Sequence, residues 1–241
     1  MITSLTLLIL SLVALYIGAG WLVQGSSALA LKAKISPLVV GLTIVAFGTS
    51  APELVVSLNA TLSGQGDIAI GNIVGSNIFN IGVILGVSAT ICPLQVKKQL
   101  LRIDIPVMLA ATVLFTILFW NGTLGRTEGL FFLTGIIIYT IFSLFYSRKH
   151  GTEGSSQELE EQPKHWAVDT LAIVGGLVVL VFASRLLVDN AVSIAKELGV
   201  SEAVIGLTIV AAGTSMPELA TSIVAAYKRK TDIAIGNIVG S

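Results

Sequence analysis

A segment of 36 residues occurs twice in the sequence, 165 positions apart. Residues 41–76 and 206–241 are identical at 24 of these 36 positions, and the last ten residues of each copy, DIAIGNIVGS, match without a gap. A weaker similarity continues upstream, where LVQGSSALA (Leu22–Ala30) matches LVDNAVSIA (Leu187–Ala195). The chain is therefore an internal duplication, and its fold must provide two equivalent environments.

The composition is that of a membrane protein. Hydrophobic residues make up 54% of the chain and charged residues 12%, whereas a soluble domain has about 25% charged residues. Apolar runs of about 17–25 residues can cross a bilayer as helices. Seven such runs lie near 3–29, 38–62, 68–92, 104–120, 127–146, 168–192 and 203–227, and an eighth begins at Asp232. We therefore predict an all-α membrane protein.

The second copy is predicted to be inverted in the membrane. The repeated segment begins in the second predicted span in the first copy and in the seventh predicted span in the second copy. Because these two spans are five apart, an odd number, they cross the membrane in opposite directions. With the N-terminus outside, the cytoplasmic loops hold eleven Lys and Arg residues and the outer loops two, as expected from the positive-inside rule. The predicted organisation is a first transmembrane repeat at 1–146, a cytoplasmic linker at 147–167 and a second, inverted repeat at 168–241.

Each copy places a glutamate inside a predicted span, Glu53 in GTSAPE and Glu218 in GTSMPE. A charged side chain at mid-bilayer costs about 2.5–3.5 kcal/mol. One such glutamate is often a protonated group hydrogen-bonded between helices, but two at equivalent points of a repeat indicate a functional site. Pro52 and Pro217 precede them and lack an N–H, so each frees the carbonyl four residues earlier and breaks the helix.

Hydroxyl groups accompany the glutamates. Thr49 and Ser50 lie within one helical turn before the first glutamate, and Thr214 and Ser215 have the same places in the second copy. With the freed carbonyls, each copy presents hard oxygen donors. Ca²⁺ takes about 6–8 such ligands, two glutamates balance its charge, and Na⁺ can use the same oxygens. A site of this kind near the midplane of an inverted repeat is typical of a secondary transporter.

The segment GNIVGSNIFN, residues 71–80, adds further donors in the third predicted span. Ser76 and Asn80 lie one turn apart, and their oxygens could complete the ligand shell. Gly71 and Gly75 form a strip of small residues that allows close helix packing. Packing alone explains these glycines but explains the polar residues of the segment less well.

These motifs resemble the alpha repeats of the sodium/calcium exchanger family, within the cation/calcium exchanger superfamily, and specifically its bacterial-type calcium/sodium antiporters. The resemblance covers nearly the whole chain. It implies inverted repeats of five transmembrane helices each, of which this chain has about seven to eight of ten, and ion sites formed by spans 2, 3, 7 and 8. The implied ion-binding residues are Glu53, Glu218, Thr49, Ser50, Thr214, Ser215, Ser76, Asn80, Ser241 and, through their carbonyls, Ala46 and Ala211.

The resemblance also implies a mechanism and a location. Spans 1 and 6 would slide across the rest of the molecule to alternate access, and the glycines in YIGAG and VGGL would permit that contact. The expected location is a prokaryotic inner membrane. The second repeat stops before the position equivalent to Asn80, which would be 245, so we expect the chain to be part of a longer product.

The leading functional hypothesis is Na⁺-driven Ca²⁺ antiport, with Ca²⁺ and Na⁺ as substrates, the lipid bilayer as surroundings, and no cofactor. A Ca²⁺/H⁺ exchanger and a K⁺-dependent Na⁺/Ca²⁺ exchanger remain alternatives, and a channel is a further class. An enzyme is disfavoured because no histidine or lysine lies in a span beside Ser50 or Ser215 to act as a base. Zero formal net charge gives no indication of a nucleic-acid partner, and no obligatory protein partner is evident.

Overall fold

Helices account for every regular element in residues 2–150 and 166–241, the part of the chain that the computed structural model describes. The α-helices are α1 (Ile2–Ala33), α2 (Pro37–Val40), α3 (Ala46–Thr49), α4 (Ala51–Leu62), α5 (Gly66–Phe79), α6 (Leu85–Ile91), α7 (Ile105–Leu118), α8 (Arg126–His150), α9 (Trp166–Glu197), α10 (Glu202–Ile205), α11 (Ala211–Gly213), α12 (Met216–Tyr227) and α13 (Thr231–Gly240). Four π-helical turns connect some of them: π1 (Gly41–Val45), π2 (Asn80–Ile84), π3 (Leu100–Asp104) and π4 (Gly206–Val210). Most of the predicted linker, residues 151–165, lies outside the described residues.

Five helical stretches in the described part of the chain are long and apolar enough to cross a membrane, and α2 to α4 form a sixth if the bent pair counts as one span. The five are Ile2–Ala33, Gly66–Ile91, Leu100–Leu118, Arg126–Lys149 and Trp166–Glu197. An all-helical, multi-pass membrane protein is thus confirmed. The seventh predicted run corresponds to α10–π4–α11–α12, which is helical but broken, and it remains a predicted span, as does the eighth.

The two longest helices, α1 and α9, pack along each other in opposite directions. A β-carbon added at Gly18 would lie 3.0 Å from the carbonyl oxygen of Gly176, and one added at Gly25 would lie 2.8 Å from that of Asp169. Lys32, near the end of α1, forms an ion pair with Asp169 in the first turn of α9. Residue numbers therefore rise along one helix as they fall along the other, so the two helices are antiparallel.

The main hydrophobic core lies between α1, α9, α12 and α13. Leu22, Val23, Leu180 and Ile233 are among its fully buried members. Burial of an aliphatic side chain of this size stabilises a fold by about 1.5–3 kcal/mol in water. Since lipid is as apolar as these side chains, close packing contributes more than the hydrophobic effect wherever the core faces hydrocarbon.

The two helices that contain DIAIGNIVGS have different surroundings. In the second copy, α13 packs so closely on α2 and π1 that a β-carbon at Gly236 would lie 2.5 Å from the carbonyl oxygen of Leu38, and one at Gly240 equally close to that of Leu42. In the first copy, Gly71 and Gly75 of α5 have no described atom within 4 Å of such a β-carbon. The strip predicted at Gly71 and Gly75 therefore makes no close contact with the described residues, whereas the equivalent glycines of α13 do.

A polar contact joins α8 to the end of π3. Asp104 is buried, and its Oδ1 accepts a hydrogen bond of 2.9 Å from the hydroxyl of Tyr139. Sequence interpretation did not single out Asp104, which stands at the edge of an apolar run. The structure shows that the fold also encloses the carboxyl group of Asp104, and a tyrosine from the neighbouring span is its partner.

Candidate ion-binding site

The two GTS-x-PE motifs form two equivalent helix breaks. The α3 helix ends at Thr49, Ser50 has φ −80° and ψ 8°, and α4 resumes at an angle of 46°. Ser215 has almost the same conformation, φ −89° and ψ 10°, before α12 begins. Pro52 and Pro217 lie in the first turns of α4 and α12, where a missing N–H is tolerated and the fixed φ favours a helix start. The prolines therefore define the beginning of each second segment.

A π-helical turn precedes each break, and both turns have the sequence GLTIV. A π-turn inserts an extra residue into the helix and commonly occurs at functional sites. Because identical pentapeptides form the same turn in both copies, the local sequence accounts for this geometry. The turn shifts the helix face that follows it and so helps to direct the broken segment towards the other copy.

The two glutamates are cross-linked by hydrogen bonds between the copies. The Ser50 hydroxyl donates to Oε1 of Glu218 at 2.8 Å, and the Ser215 hydroxyl donates to Oε1 of Glu53 at 2.9 Å. Each repeat thus orients the carboxyl group of the other. Both serines were predicted as ion ligands. Their protons are committed to the carboxyl groups in this structure, so only their lone pairs are available to a cation.

The second oxygen of each glutamate is buried and has no hydrogen-bond partner among the described residues. Glu218 is 1% exposed, and Glu53 is half-buried. A buried polar atom without a partner is destabilising by about 1–3 kcal/mol, and more for a charged group. A bound cation would satisfy both oxygens. Both glutamates also lie in the first turn of a helix, where the helix dipole favours negative charge.

Two asparagines that sequence interpretation did not assign to the site hold the backbone of the glutamates. The amide nitrogen of Asn72 donates to the carbonyl oxygen of Glu53 at 3.2 Å and to the Ser57 hydroxyl at 2.9 Å. Asn237 makes the equivalent two bonds in the second copy at the same distances. The signal was present in the sequence, because both asparagines belong to the identical DIAIGNIVGS segments, but their partners lie on a different helix.

The threonines of the two motifs are not equivalent in this structure. Thr49 is fully buried, and its hydroxyl lies 3.0 Å from Oδ1 of Asn237 and 3.2 Å from the carbonyl oxygen of Ala46. Thr214 is half-buried, and its hydroxyl is 3.4 Å from the carbonyl oxygen of Ala211. Both carbonyls predicted as ion ligands therefore face a threonine hydroxyl one turn further along the chain.

The remaining predicted ligands lie on the helices that follow. The hydroxyl of Ser76 donates to the carbonyl oxygen of Ile73 at 3.1 Å, and that of Ser241 donates to the carbonyl oxygen of Asn237 at 2.6 Å. Asn80 is buried at the start of π2, and its Oδ1 has no partner among the described residues. Because π2 packs against α12 and α13, Asn80 lies at the contact between the two copies.

Within the described residues, no group of three or more His, Cys, Asp or Glu side chains could hold a metal ion. The donor set at the helix breaks consists of two carboxyl groups and neutral hydroxyl, amide and carbonyl oxygens. Such a set suits hard cations rather than soft metals. Its modest charge also suits an ion that must be released after binding.

Comparison with known proteins identifies the family of this chain. The sequence model of the family described as sodium/calcium exchanger protein matches residues 3–145 and 168–241. The inner membrane protein YrbG of Escherichia coli is 38% identical over 247 residues, covering 100% of this chain and 76% of YrbG. The sodium/calcium exchanger MaX1 of Methanosarcina acetivorans is 32% identical over 272 residues, covering 98% of this chain and 78% of MaX1.

The fold is similar to that of a solved exchanger. A structure of the sodium–calcium exchanger NCX_Mj matches with a TM-score of 0.85 and 34% sequence identity, covering 100% of this chain and 78% of that one. The sequence model and the relatives thus agree over both copies of the repeat. This chain belongs to the sodium/calcium exchanger family.

Proposed function

We propose that this protein exchanges Ca²⁺ for Na⁺ across the membrane by alternating access. Its family is one of transporters and not of enzymes. The observation that carries the proposal is the reciprocal pair of Ser–Glu hydrogen bonds, which brings Glu53 and Glu218 together with one buried, unpartnered oxygen each. A single site between the two helix breaks would bind the two ions in turn.

The donor chemistry supports Ca²⁺ as one substrate. Two carboxylates balance a divalent charge, which matters because an uncompensated charge in a low-dielectric site is strongly destabilising. Ca²⁺ accepts ligands at about 2.3–2.6 Å in flexible numbers, whereas Mg²⁺ retains several of its waters. Neutral oxygens of Thr49, Asn80 and the motif serines can supply the remaining ligands. We therefore place Ca²⁺ between the two glutamates.

The neutral donors also support Na⁺ as the counter-ion. A proton needs only a carboxylate to bind it, so in a Ca²⁺/H⁺ exchanger the hydroxyl and amide oxygens would serve Ca²⁺ alone. Na⁺ is a hard cation that uses such oxygens with less charge compensation. That MaX1 is a sodium/calcium exchanger is consistent with this choice.

Alternating access is supported by an asymmetry between equivalent parts of the two copies. On one side α13 closes over π1, and Val45 is fully buried. On the other side Gly71 and Gly75 of α5 have no described atom within 4 Å of an added β-carbon, and the equivalent Val210 of π4 is 45% exposed. With the N-terminus outside, the closed side faces the cytoplasm. The structure then corresponds to an outward-open state. If α13 moved away from π1 and α5 closed over π4, the protein would be in the inward-open state.

The test is Ca²⁺ uptake into vesicles loaded with Na⁺. We expect uptake to follow the outward Na⁺ gradient, and to fall about 100-fold or more in Glu53→Gln and in Glu218→Gln, because each removes one of the charges that balance Ca²⁺. Asp67→Asn, a change of an exposed acid in α5, is the matched control and should transport normally.

The alternative exchangers make different predictions in the same vesicles. Uptake that ignores the Na⁺ gradient and follows a proton gradient would replace the proposal with Ca²⁺/H⁺ exchange. Uptake that requires K⁺ together with Na⁺ would indicate the K⁺-dependent variant. Wild-type uptake by either glutamate variant would remove that residue from the site.

A further inference from the structure

Asn237 connects three segments at the centre of the molecule. Its amide nitrogen bonds to the carbonyl oxygen of Glu218 and the hydroxyl of Ser222, both on α12. Its amide oxygen accepts from the Thr49 hydroxyl of the other copy at 3.0 Å. Both Thr49 and Asn237 are 0% exposed. The side chain thus ties the helix pair of the second copy to the helix break of the first.

The equivalent residues of the other copy make only part of this network. Asn72 holds the carbonyl oxygen of Glu53 and the Ser57 hydroxyl in the same way. The bond between the copies, from Thr214 to Asn72, is not made among the described residues, and the Thr214 hydroxyl faces the carbonyl oxygen of Ala211 instead. The bond is therefore present where α13 is closed over π1 and absent where α5 stands away from π4.

We propose that Asn237 and Asn72 are the two halves of an exchangeable latch. The Thr49–Asn237 hydrogen bond holds the cytoplasmic side closed in the present state. In the inward-open state this bond is broken, and the Thr214–Asn72 bond closes the outer side. The asparagines act here as positioning residues, since both amide nitrogens bond to the backbone and serine of their own helix pair and the amide oxygen of Asn237 bonds to Thr49. This inference rests on the proposed alternating access.

The physical basis is the environment of the latch. A hydroxyl-to-amide bond between two fully buried groups cannot be replaced by water while the helices remain in contact, so the bond and the closed contact stabilise each other. On the open side Thr214 is half-buried, and water can satisfy the same groups at little cost. Loss of one such bond should change the ratio of the two states about fivefold.

The test uses two thiol reporters at equivalent positions in the intact protein, in ion-free vesicles and with Cys92 replaced by Ser. Val45→Cys lies under the closed contact, at 0% exposure, and Val210→Cys lies on the open side, at 45% exposure. Membrane-impermeant thiol reagents are applied from each side. We expect Thr49→Val to raise the labelling rate of V45C from the cytoplasmic side about fivefold and to lower that of V210C from outside.

Matched variants separate the latch from general damage. Thr49→Ser retains the hydroxyl and should restore the parent labelling. Thr214→Val removes a hydroxyl that makes no hydrogen bond to Asn72 here, so V45C should remain protected. A rise at both reporters in Thr49→Val would mean loosened packing, and unchanged rates would mean that the bond has no role; either result overturns the proposal.

The same vesicles distinguish this inference from the proposed function. Na⁺-driven Ca²⁺ uptake by the unsubstituted protein tests the coupling ion and does not depend on the latch. Opposite labelling changes without such uptake would support the latch and overturn the Na⁺ coupling. Uptake without opposite labelling changes would support the coupling and overturn the latch.

Discussion

At the scale of single residues, Ser50 and Ser215 determine the orientation of the glutamate carboxyl groups. Each donates to one oxygen of a carboxyl group of the opposite copy and leaves the other oxygen without a hydrogen-bond partner among the described residues. Hydrogen bonds to charged groups contribute about 1.5–3 kcal/mol, more than a neutral pair. In the proposed site, the serines would therefore act on Ca²⁺ through the orientation of the carboxyl group as well as through their own lone pairs.

We expect Ser50→Ala and Ser215→Ala each to weaken Ca²⁺ binding about 10-fold to 100-fold, since the carboxyl group loses the bond that holds it. Equilibrium binding of radioactive Ca²⁺ to the purified protein measures the effect. Ser63→Ala, a change at an exposed turn after α4, should bind as the parent does. Parent-like affinity in both motif variants would contradict the orienting role.

Sequence interpretation identified the glutamates and serines because they stand in duplicated motifs inside apolar runs. It did not show that Ser50 would pair with Glu218, since residues far apart in sequence meet only through tertiary packing. Sequence interpretation did not assign Asn72 and Asn237 to the site for a related reason. Their partners include backbone carbonyl oxygens across a helix hairpin, and no periodicity of side chains reveals such contacts.

At the scale of helices, the contact between α1 and α9 depends on close backbone approach. A β-carbon at Gly176 would lie 2.7 Å from the carbonyl oxygen of Gly18 and 2.8 Å from the backbone nitrogen of Leu22. Neither neighbour is a flexible side chain that could move aside. The glycines of YIGAG and VGGL were expected to allow spans 1 and 6 to slide on the rest of the molecule, whereas the structure places Gly18 and Gly176 in the contact between these two helices.

Gly176→Ala should therefore separate the two helices and destabilise the protein by about 1–3 kcal/mol, as overpacking does. Gly175→Ala is the matched control, because its β-carbon would meet only a Trp21 ring atom at 3.9 Å, and alanine favours a helix over glycine. Thermal unfolding in detergent compares the two variants. Equal midpoints would show that the backbone contact can relax without loss.

At the scale of the whole molecule, two ion pairs join segments that the predicted topology places on the cytoplasmic side. Lys32 pairs with Asp169 between α1 and α9, and Lys97 pairs with Asp232 of α13 at 2.6 Å. Both lysines lie in loops assigned to the cytoplasm by their positive charge. The pairs therefore connect elements of the first copy to elements of the second on the side that is closed.

The inverted orientation predicts that equivalent turns face opposite compartments. Ser63 caps the end of α4 and Lys228 caps the end of α12, and the two positions are 165 residues apart. With Cys92 replaced by Ser, Ser63→Cys should react with an impermeant thiol reagent from outside the cell, and Lys228→Cys only in inside-out vesicles. Labelling of both from one side would rule out inverted repeats.

The helix content and the apolar runs followed from composition and periodicity alone, whereas the difference between the two copies did not. The α5 and α13 helices share ten consecutive residues, yet Gly236 is in close contact with α2 and π1 and Gly71 has open space beside it. Identical sequences have the same local propensities, so only the global arrangement can make them differ. A conformational state is thus a property that this sequence does not encode locally.

The crossed Ser–Glu bonds also bear on how such a protein can change over time. A substitution at position 50 alters the surroundings of the acid at 218, and one at 215 alters those of the acid at 53. Substitutions in one copy therefore constrain the sequence of the other copy. Among relatives, these positions should vary as two coupled pairs rather than within each motif. Two motifs that began as copies have in this way become each other's complement.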